Sequence, residues 1–338
     1  MTETNRLVRL RARPEGIPQA HHFEVTEEPL GPLAEGKIRV RNSYLSVDPA
    51  MRGWVSDVAN YSKPVGIGEV MRSFAAGEVV ESRHPDYAPG ERLVGMFGWQ
   101  HFADADGRDV IRRVREDDLP LSAQLGVLGL NGVTALLGLT LVGEPKAAET
   151  VVVSTAAGSV GAAVGQIAKI LGCRAVGIAG GAEKVRLCLE EFGYDAALDY
   201  KAAGDLSAAV AGACPEGVHV YFDNTAGPVS DAVMPHLAVG ARVVVCGTAS
   251  VASWGPPPQG PRVERHLLVK RARMQGFVVL DHFARFDEAA TQLAGWVREG
   301  KLRHREDILE GLDQAPDAIA GLYRGENLGK RLVRVGPG

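Results

Sequence analysis

The pattern of apolar and polar residues divides the chain into two parts. Up to residue 125, short segments such as KIRVRNSYLSV (37–47) alternate apolar with polar positions and are separated by glycine and proline. Such alternation is typical of strands that bury one face, and glycine and proline mark the turns between them. Residues 1–125 are therefore predicted to form one β-rich domain.

From residue 126 the pattern changes to uniformly apolar segments that alternate with alanine-rich helical ones. The predicted strands are TVVVSTA, RAVGIAG, AALDY, VHVYFDN, ARVVVCG and a segment at 274–280. The predicted helices cover 160–171, 182–192, 229–237 and 286–299. Apolar strands that alternate with helices form a parallel sheet covered on both faces, so residues 126–304 are predicted to be an α/β domain. WGPPPQGP (254–261) is too rich in proline for either element and is predicted to be an exposed loop.

Small residues follow the first of these strands directly. STAAGSVG (154–161) nearly matches the dinucleotide-binding pattern G-x-G-x-x-G, with Ala156 at the first position and Gly158 and Gly161 at the other two. In that pattern the glycines let the backbone approach a pyrophosphate and let the helix pack close to the strand, while N–H groups at the helix N-terminus bind the anion. A glycine-rich turn that binds nothing is the alternative. The strand before the turn and the helix and strand after it favour a dinucleotide site.

The end of the second strand bears on which nicotinamide cofactor fits. NAD sites place an Asp or Glu about 20 residues beyond the glycines, where it binds the ribose 2′-hydroxyl. Here Gly180 and Gly181 occupy that place, and Lys184 follows at the start of the next helix. Without a carboxylate to repel it, a 2′-phosphate can pair with Lys184, so the sequence predicts NADPH as the cofactor.

Composition and charge exclude several classes of protein. The chain has 338 residues, 46% of them hydrophobic, and a net charge of −4 at pH 7. The weak negative charge predicts no nucleic-acid partner, and no apolar run reaches the length of about 18 residues that a membrane span needs. A cytoplasmic protein is expected because the start lacks the apolar stretch of a secretory signal, although its arginines could also belong to a transit peptide rather than to an edge strand.

Cysteine spacing bears on disulfides and metal sites. The four cysteines are far apart in the sequence and form neither a C-x-x-C pair nor a Cys/His zinc spacing. Neither a disulfide framework nor a metal site is therefore predicted.

Eight motifs, in register along nearly the whole chain, resemble one known family. They are YLSVDPAMRG (44–53), GEVMRS (68–73), VVESRHP (79–85), AAGSVGAAVGQIAK (156–169), GAEKV (181–185), YFDN (221–224), RMQGF (273–277) and NLGKRLV (327–333). Together they resemble the zinc-independent medium-chain dehydrogenase/reductases, specifically the leukotriene B4 dehydrogenase or prostaglandin reductase-like alkenal/one oxidoreductases. The resemblance implies a GroES-like catalytic domain, built from residues 1–125 and 305–338, and a Rossmann doubly wound NADP-binding domain at 126–304. It also implies a homodimer and a substrate that lies in the cleft between the domains.

The implied reaction transfers hydride from NADPH to the β-carbon of an α,β-unsaturated ketone or aldehyde and leaves an enolate that is protonated at the α-carbon. Such an enzyme must orient the cofactor and stabilise the enolate oxygen with hydrogen-bond donors. By position, the implied cofactor-binding residues are Thr134, Ala157, Gly158, Ser159, Val160, Gly161, Gly180, Lys184, Tyr200, Asn224, Cys246, Gly247, Phe277, Val278 and Asn327. The implied substrate pocket contains Tyr44, Ala50, Met51, Tyr61, Ala252 and Trp254. Tyr61 is the candidate catalytic donor, although a loop tyrosine that only packs would fit the same position.

Three positions depart from the family pattern. Ala50 and Ala252 stand where relatives often have tyrosine, and Asn131 stands where they often have proline. Because the family tyrosine at 252 is thought to help hold the enolate, the cofactor ribose or another side chain has to replace it. The candidate side chains are Tyr61, Ser250, Ser253 and Trp254. The loss of two tyrosines predicts a pocket that accepts bulkier enones. A quinone oxidoreductase of the same superfamily and a non-catalytic NADPH-binding protein are the alternative functions.

Overall fold

The computed structural model describes residues 4–57, 61–251 and 258–337. These residues belong to two compact units. The first unit is Met1–Gly126 together with Glu306–Gly338, and the second is Val127–Arg305. The C-terminal segment therefore belongs to the same unit as the N-terminal part of the chain.

Antiparallel strands dominate the N-terminal part of the first unit. Its elements are β1 (Thr4–Leu10), β2 (Phe23–Pro29), β3 (Lys37–Ser46), α1 (Met51–Trp54), β4 (Ala75–Ser82), β5 (Arg92–Gly95), β6 (Phe102–Asp106) and β7 (Val110–Arg113). β1 and β2 form a two-stranded sheet. The N-terminal arginines therefore belong to a strand, as predicted, where a transit peptide was the alternative. β3 lies inside a larger sheet and pairs with both β4 and β6.

The strand β3 is more deeply buried than its alternating sequence predicts. Most of its residues are buried, including the polar Arg39 and Asn42. Because these polar side chains are buried, they need hydrogen-bond partners within the protein. Arg39 donates from Nε to Asp104 at 2.7 Å, and Asn42 donates from Nδ2 to the Gln100 carbonyl at 2.9 Å. The expectation of a half-buried strand is therefore wrong for β3.

Helices and parallel strands alternate in the second unit. Its strands are β8 (Thr150–Ser154), β9 (Arg174–Ala179), β10 (Ala196–Asp199), β11 (Val218–Asp223), β12 (Leu237–Val245) and β13 (Arg273–Gly276). Its helices are α2 (Leu130–Gly138), α3 (Ser159–Ile170), α4 (Ala182–Glu190), α5 (Leu206–Ala213), α6 (Gly227–Val233), α7 (Glu264–Lys270) and α8 (Phe286–Arg298). The strands lie in the order β10-β9-β8-β11-β12-β13, and every neighbouring pair is parallel. This is the strand order 3-2-1-4-5-6 of the Rossmann fold, so the predicted doubly wound sheet is confirmed.

Several element ends in the second unit differ from the prediction, and three of them illustrate this. α4 ends before Phe192, because Gly193 follows in the left-handed region at φ 66°. α6 ends at Val233, where Pro235 interrupts the helical hydrogen bonds and a short 3-10 turn follows. β13 stops at Gly276, and Val279–Arg285 continues as a 3-10 segment rather than as strand.

The C-terminal segment completes the sheet of the first unit with β14 (Glu306–Glu310), α9 (Ala315–Arg324) and β15 (Lys330–Arg334). β15 pairs with β14 on one side and with β3 on the other. Short 3-10 or irregular helical segments elsewhere are Ala20–His22, Gly107–Asp109, Leu121–Leu125, Leu139–Gly143, Met234–His236 and Leu312–Gln314. Among the helices in the described ranges, none has the length and apolar character to cross a membrane.

Candidate functional site

The strand order reverses between β8 and β11. In open α/β sheets, ligands bind outside the carboxyl ends of the strands at this reversal. The turns at 155–158, 180–181, 224–226 and 246–247 follow β8, β9, β11 and β12 there, and we call them together the binding edge.

The turn after β8 has no room for larger residues. A Cβ on Gly158 would lie 2.9 Å from Cγ2 of Thr155, and a Cβ on Gly161 would lie 2.8 Å from the Thr155 carbonyl carbon. The left-handed residue of the turn is Thr155, at φ 54°, which explains why Ala156 can stand at the first position of the glycine pattern. The two glycines therefore let α3 begin directly against the end of β8.

The first turn of α3 offers unpaired backbone donors. Gly158 is the N-cap residue, and no side chain caps the helix. The N–H groups of Ser159, Val160 and Gly161 consequently have no partner within the helix, and the helix dipole makes this end positive. An anion such as a pyrophosphate would satisfy these donors.

A buried carboxylate, Asp223, joins the turns after β8 and β11. Asp223 is 1% exposed, and its Oδ1 accepts hydrogen bonds from Tyr221 Oη at 3.0 Å and from Ser154 Oγ at 3.2 Å. The same oxygen accepts from the backbone N–H groups of Thr225 and Ala226, each at 2.9 Å. Asp223 therefore fixes the backbone of the β11–α6 turn, in which Ala226 has a φ of 56°. Sequence analysis missed Asp223 and Ser154, although a polar residue at the end of each buried strand was the available signal.

Asn224, Cys246 and Gly247 lie together beside Ser154. Asn224 donates from Nδ2 to the Ser154 carbonyl at 2.8 Å, and its backbone N–H donates to Ser154 Oγ at 2.8 Å. The N–H groups of Cys246 and Gly247 both donate to the carbonyl of Asp223, at 2.8 and 3.1 Å. Burial raises the pKa of the Cys246 thiol to about 12, and the negative Asp223 adds to the rise, so this thiol is neutral.

The turn after β9 contacts the end of β10. A Cβ on Gly180 would lie 2.7 Å from Cε1 of Tyr200, so the tyrosine ring lies directly against this glycine. Gly181 is the N-cap residue of α4 at φ 99°, and Lys184 is in the first turn of that helix. The Gly181 N–H donates to Oδ1 of Asp199 at 2.9 Å. The expectation that no carboxylate lies at this turn is therefore wrong, because the neighbouring strand supplies one.

Thr134, Phe277 and Val278 lie elsewhere in the second unit. Thr134 is a buried residue of α2, and a Cβ on Gly138, one turn later, would lie 3.2 Å from the ring of Phe277. The Phe277 N–H donates to the carbonyl of Val245 at 3.0 Å, which places Phe277 just beyond the paired ends of β12 and β13. Val278 comes directly after it and precedes the 3-10 segment.

The remaining predicted residues belong to the first unit or lie outside the described ranges. Tyr61 is 58% exposed, whereas Met51 is fully buried at the start of α1 and Tyr44 is buried in β3. Ala50, the N-cap residue of α1, is partly exposed. Asn327 donates from Nδ2 to the Gly329 carbonyl at 2.8 Å within its own loop. Ala252 and Trp254 lie outside the described residues.

Tyr323 and Arg52 lie together at the start of α1. Burial raises the pKa of Tyr323, the positive Arg52 opposes the rise, and Tyr61 adds to it. The guanidinium of Arg52 is 5.0 Å from the centre of the Tyr323 ring, and the Tyr323 hydroxyl donates to the Pro49 carbonyl at 3.1 Å. Tyr323 and Arg52 therefore lie beside the segment that carries Ala50 and Met51.

A buried lysine fixes that segment from the other side. Lys330 Nζ donates to Asp48 Oδ1 and to Ser46 Oγ, each at 2.7 Å, and to the Val47 carbonyl at 3.0 Å. Burial lowers the pKa of Lys330, and the negative Asp48 opposes the change. These contacts hold the end of β3 and the start of α1 in one arrangement. Sequence analysis missed Lys330, which belongs to the motif NLGKRLV.

Metal ligands are not brought together within the described ranges, where no group of three or more His, Cys, Asp or Glu side chains could hold a metal ion. The four cysteines are free thiols, three of them buried.

Comparison with known proteins gives matches along the whole chain. The model of an N-terminal domain of oxidoreductase matches residues 6–112, and that of a zinc-binding dehydrogenase matches residues 159–295. The chain is 43% identical over 338 residues to the NADPH-dependent curcumin reductase of Escherichia coli (strain K12), covering 98% of this chain and 97% of the relative. It is 35% identical over 336 residues to the NADP(+)-dependent 2-alkenal reductase of Nicotiana tabacum, covering 98% of each.

A solved structure gives a similar result. The crystal structure of CurA from Vibrio vulnificus in complex with NADPH matches with a TM-score of 0.92 and 40% identity, and the match covers 98% of this chain and 100% of that chain.

Proposed function

The chain belongs to the zinc-independent medium-chain dehydrogenase/reductases, among the NADP-dependent alkenal/one oxidoreductases, and we propose that it reduces the C=C bond of α,β-unsaturated ketones and aldehydes with NADPH. The observation that carries the proposal is the 43% identity to curcumin reductase over 338 residues. Curcumin and 2-alkenals share a C=C bond conjugated to a carbonyl, which is the acceptor that the proposal requires.

The residues of the binding edge fit NADPH. Gly158 and Gly161 stand where a Cβ would press against Thr155, and the α3 N-terminus that follows carries no side-chain cap. These features suit a pyrophosphate. Lys184, near the start of α4, is the residue we assign to the 2′-phosphate, and Tyr200 beside Gly180 is assigned to the adenosine end. The remaining assignments follow the family pattern, with Asn224, Cys246, Gly247, Phe277 and Val278 along the rest of the cofactor and Thr134 near the nicotinamide.

When bound, NADPH supplies the hydride, so the chain itself has to bind, orient and stabilise charge. We assign to the Tyr61 hydroxyl the hydrogen bond to the carbonyl oxygen that becomes negative as hydride reaches the β-carbon. Its exposure of 58% leaves it accessible to a ligand. Ser250 is a weaker candidate, because its hydroxyl already bonds to the carbonyls of Thr225 and Ala226 at 2.7 and 2.9 Å.

The test is NADPH oxidation, followed at 340 nm, with medium-chain enones and enals such as 3-nonen-2-one, and with naphthoquinone for comparison. We expect kcat/KM to be higher for enones than for the quinone. Tyr61→Phe should lower kcat about 100-fold with enones, because it removes one donor to the developing oxyanion. Tyr87→Phe is the matched control, since it removes the hydroxyl of another tyrosine of the first unit. Turnover of the quinone alone, or none in the presence of tightly bound NADPH, would contradict the proposed activity.

We also propose a cytoplasmic homodimer, as the family resemblance implies. The strand β13 ends the parallel sheet, and its four residues are exposed. Met274 on this strand and Leu268 and Val269 on the neighbouring α7 are exposed large apolar side chains. A second copy could cover them. Light scattering should therefore give twice the chain mass, and Leu268→Glu combined with Met274→Glu should give the monomer mass.

A further inference from the structure

The carboxylate of Asp199 occupies an unusual place for a protein that binds NADPH. Asp199 is the last residue of β10 and pairs with Ala179, the last residue of β9. Its Oδ1 accepts hydrogen bonds from the backbone N–H groups of Gly181 and Lys201, both at 2.9 Å. The acid thus lies at the turn that leads to Lys184.

An acid at this place could act in two opposite ways. It could bind the ribose 2′-hydroxyl of NADH and repel a 2′-phosphate, as an Asp at the end of the second strand does. Alternatively, it could serve only to hold the backbone. The observed contacts support the second role, because one oxygen already receives two N–H donors. The Gly181 N–H is the largest cause that lowers the pKa of Asp199, with the Lys201 N–H adding to it, so these two donors stabilise the ionised carboxylate.

The two donors lie in segments that the 2′-phosphate site needs. Gly181 is the N-cap residue of α4, in the left-handed region, and therefore sets where the helix that carries Lys184 begins. Lys201 follows Tyr200, whose ring lies against Gly180 and whose N–H donates to the Ala179 carbonyl at 3.0 Å. A single carboxylate consequently ties the start of α4 to the segment that carries Tyr200.

We propose that Asp199 is a positioning residue for cofactor choice, which holds the Gly180–Gly181 turn so that Lys184 and Tyr200 meet the 2′-phosphate of NADPH. This inference rests on the proposed function. Asp199 acts through its hydrogen bonds to the backbone and does not itself contact the phosphate. The position of its acceptor oxygen matters more than its charge, so asparagine at this position should preserve binding of the 2′-phosphate and alanine should not.

The same two strands provide a matched control at their amino ends. Asp195 accepts a hydrogen bond from the Ala175 N–H at 2.8 Å, and Lys169 Nζ donates to its other oxygen at 2.6 Å. Asp195 therefore ties β9 to the start of β10 by the same kind of contact as Asp199, but at the opposite edge of the sheet. Asp195→Ala removes a strand-joining carboxylate without touching the turn at Gly181.

The experiment is isothermal titration calorimetry with 2′,5′-ADP and with 5′-ADP, which reports binding without turnover. Wild type should bind 2′,5′-ADP more tightly than 5′-ADP. Asp199→Ala should raise the Kd for 2′,5′-ADP about ten-fold and leave that for 5′-ADP within about two-fold. Asp199→Asn should restore the affinity for 2′,5′-ADP to within about three-fold of wild type, because its amide oxygen still accepts from Gly181. Asp195→Ala should lower Tm and leave both Kd values unchanged.

The outcomes separate this inference from the proposed function. If wild type shows no preference for 2′,5′-ADP, the NADPH assignment itself fails. If wild type shows the preference but Asp199→Ala binds 2′,5′-ADP equally well or more tightly, Asp199 opposes the phosphate or is irrelevant to it, and the inference is overturned. Equal weakening in Asp199→Ala and Asp199→Asn would also overturn it, because the charge rather than the acceptor would then be the cause.

Discussion

The two edges of the parallel sheet use acidic side chains differently. At the amino edge, which we define by Glu149, Asp195 and Arg242, the carboxylates pair with cations. Arg242 contacts both oxygens of Glu149 and donates from Nε to the Gly143 carbonyl at 2.8 Å. These carboxylates also accept from backbone N–H groups, Glu149 from Lys146 and Asp195 from Ala175. At the binding edge, Asp223 and Asp199 accept from the backbone N–H groups of the turns themselves. The carboxylates of the first edge join cations of the protein, whereas those of the second fix the turns beside which the N-terminal N–H groups of α3 lie.

This difference separates stability from binding within one sheet. Ion pairs at the amino edge stabilise the fold and have no part in the proposed chemistry. Acids at the binding edge shape turns whose glycines and donors the cofactor needs. Substitutions at the amino edge should therefore change the free energy of unfolding, and those at the binding edge should change the Kd for the cofactor.

Breaking the ion pair at the amino edge should cost the most stability. Arg242→Met leaves Glu149 without its guanidinium in a site where both side chains are mostly buried. We expect the free energy of unfolding to fall by about 3 kcal/mol, with the Kd for NADPH unchanged. Urea unfolding and fluorescence titration measure the two quantities. A large change in the Kd for NADPH would show that the two edges are not independent.

Adding one methyl group at the binding edge should abolish most cofactor binding. Gly161→Ala places a Cβ 2.8 Å from the Thr155 carbonyl carbon, so α3 has to move away from β8. The Kd for NADPH should rise about 100-fold.

The matched control for this change is Gly212→Ala. Gly212 is also a helical glycine of this unit, in α5, and its Cβ would meet nothing within 4 Å. That substitution should leave the Kd unchanged and stabilise the protein by about 1 kcal/mol, as expected for glycine to alanine in a helix. Equal effects of the two substitutions on the Kd would refute the steric account of the turn.

Removing the cation at the binding edge should change cofactor preference. Lys184→Ala should raise the Kd for NADPH about ten-fold and that for NADH far less, because only NADPH carries the 2′-phosphate. Lys169→Ala removes a lysine paired with Asp195 at the amino edge and should change neither Kd. Fluorescence titration of both cofactors checks this prediction, and equal losses for NADPH and NADH would refute the assignment of Lys184.

The difference in the free energy of unfolding between wild type and Arg242→Met should become smaller in acid. Burial acts to raise the pKa of Glu149, but hydrogen bonds from Arg242 and from the Lys146 backbone lower it by more, so the net pKa lies below its ordinary value of 4.5. The pair therefore stabilises the fold above pH 4.5, and this contribution is lost as the pH falls through the folded pKa. Urea unfolding at pH 7 and at successively lower pH tests the direction. A difference in the free energy of unfolding that becomes larger in acid would contradict this prediction.

Sequence predicted some features of the site because they are local. The parallel sheet follows from alternating apolar and helical segments, its Rossmann arrangement from the family resemblance, and Gly158 and Gly161 from their spacing after the first strand. The role of Asp199 was not predictable in the same way, because the N–H group from which it accepts belongs to Gly181, the N-cap residue of α4, 18 residues earlier in the chain. The buried polar residues of β3 were missed for a similar reason, because Arg39 and Asn42 bond to Asp104 and to the Gln100 carbonyl, which are distant in the sequence.

Hydride transfer from NADPH to a conjugated C=C bond can be followed directly with an isotope label. NADPH carrying deuterium at nicotinamide C4, prepared separately for each face, is incubated with the protein and 3-nonen-2-one, and the product is examined by NMR. We predict a saturated ketone with deuterium on the β-carbon for one of the two labelled cofactors. Deuterium on a carbinol carbon, or no transfer from either cofactor, would contradict the proposed function.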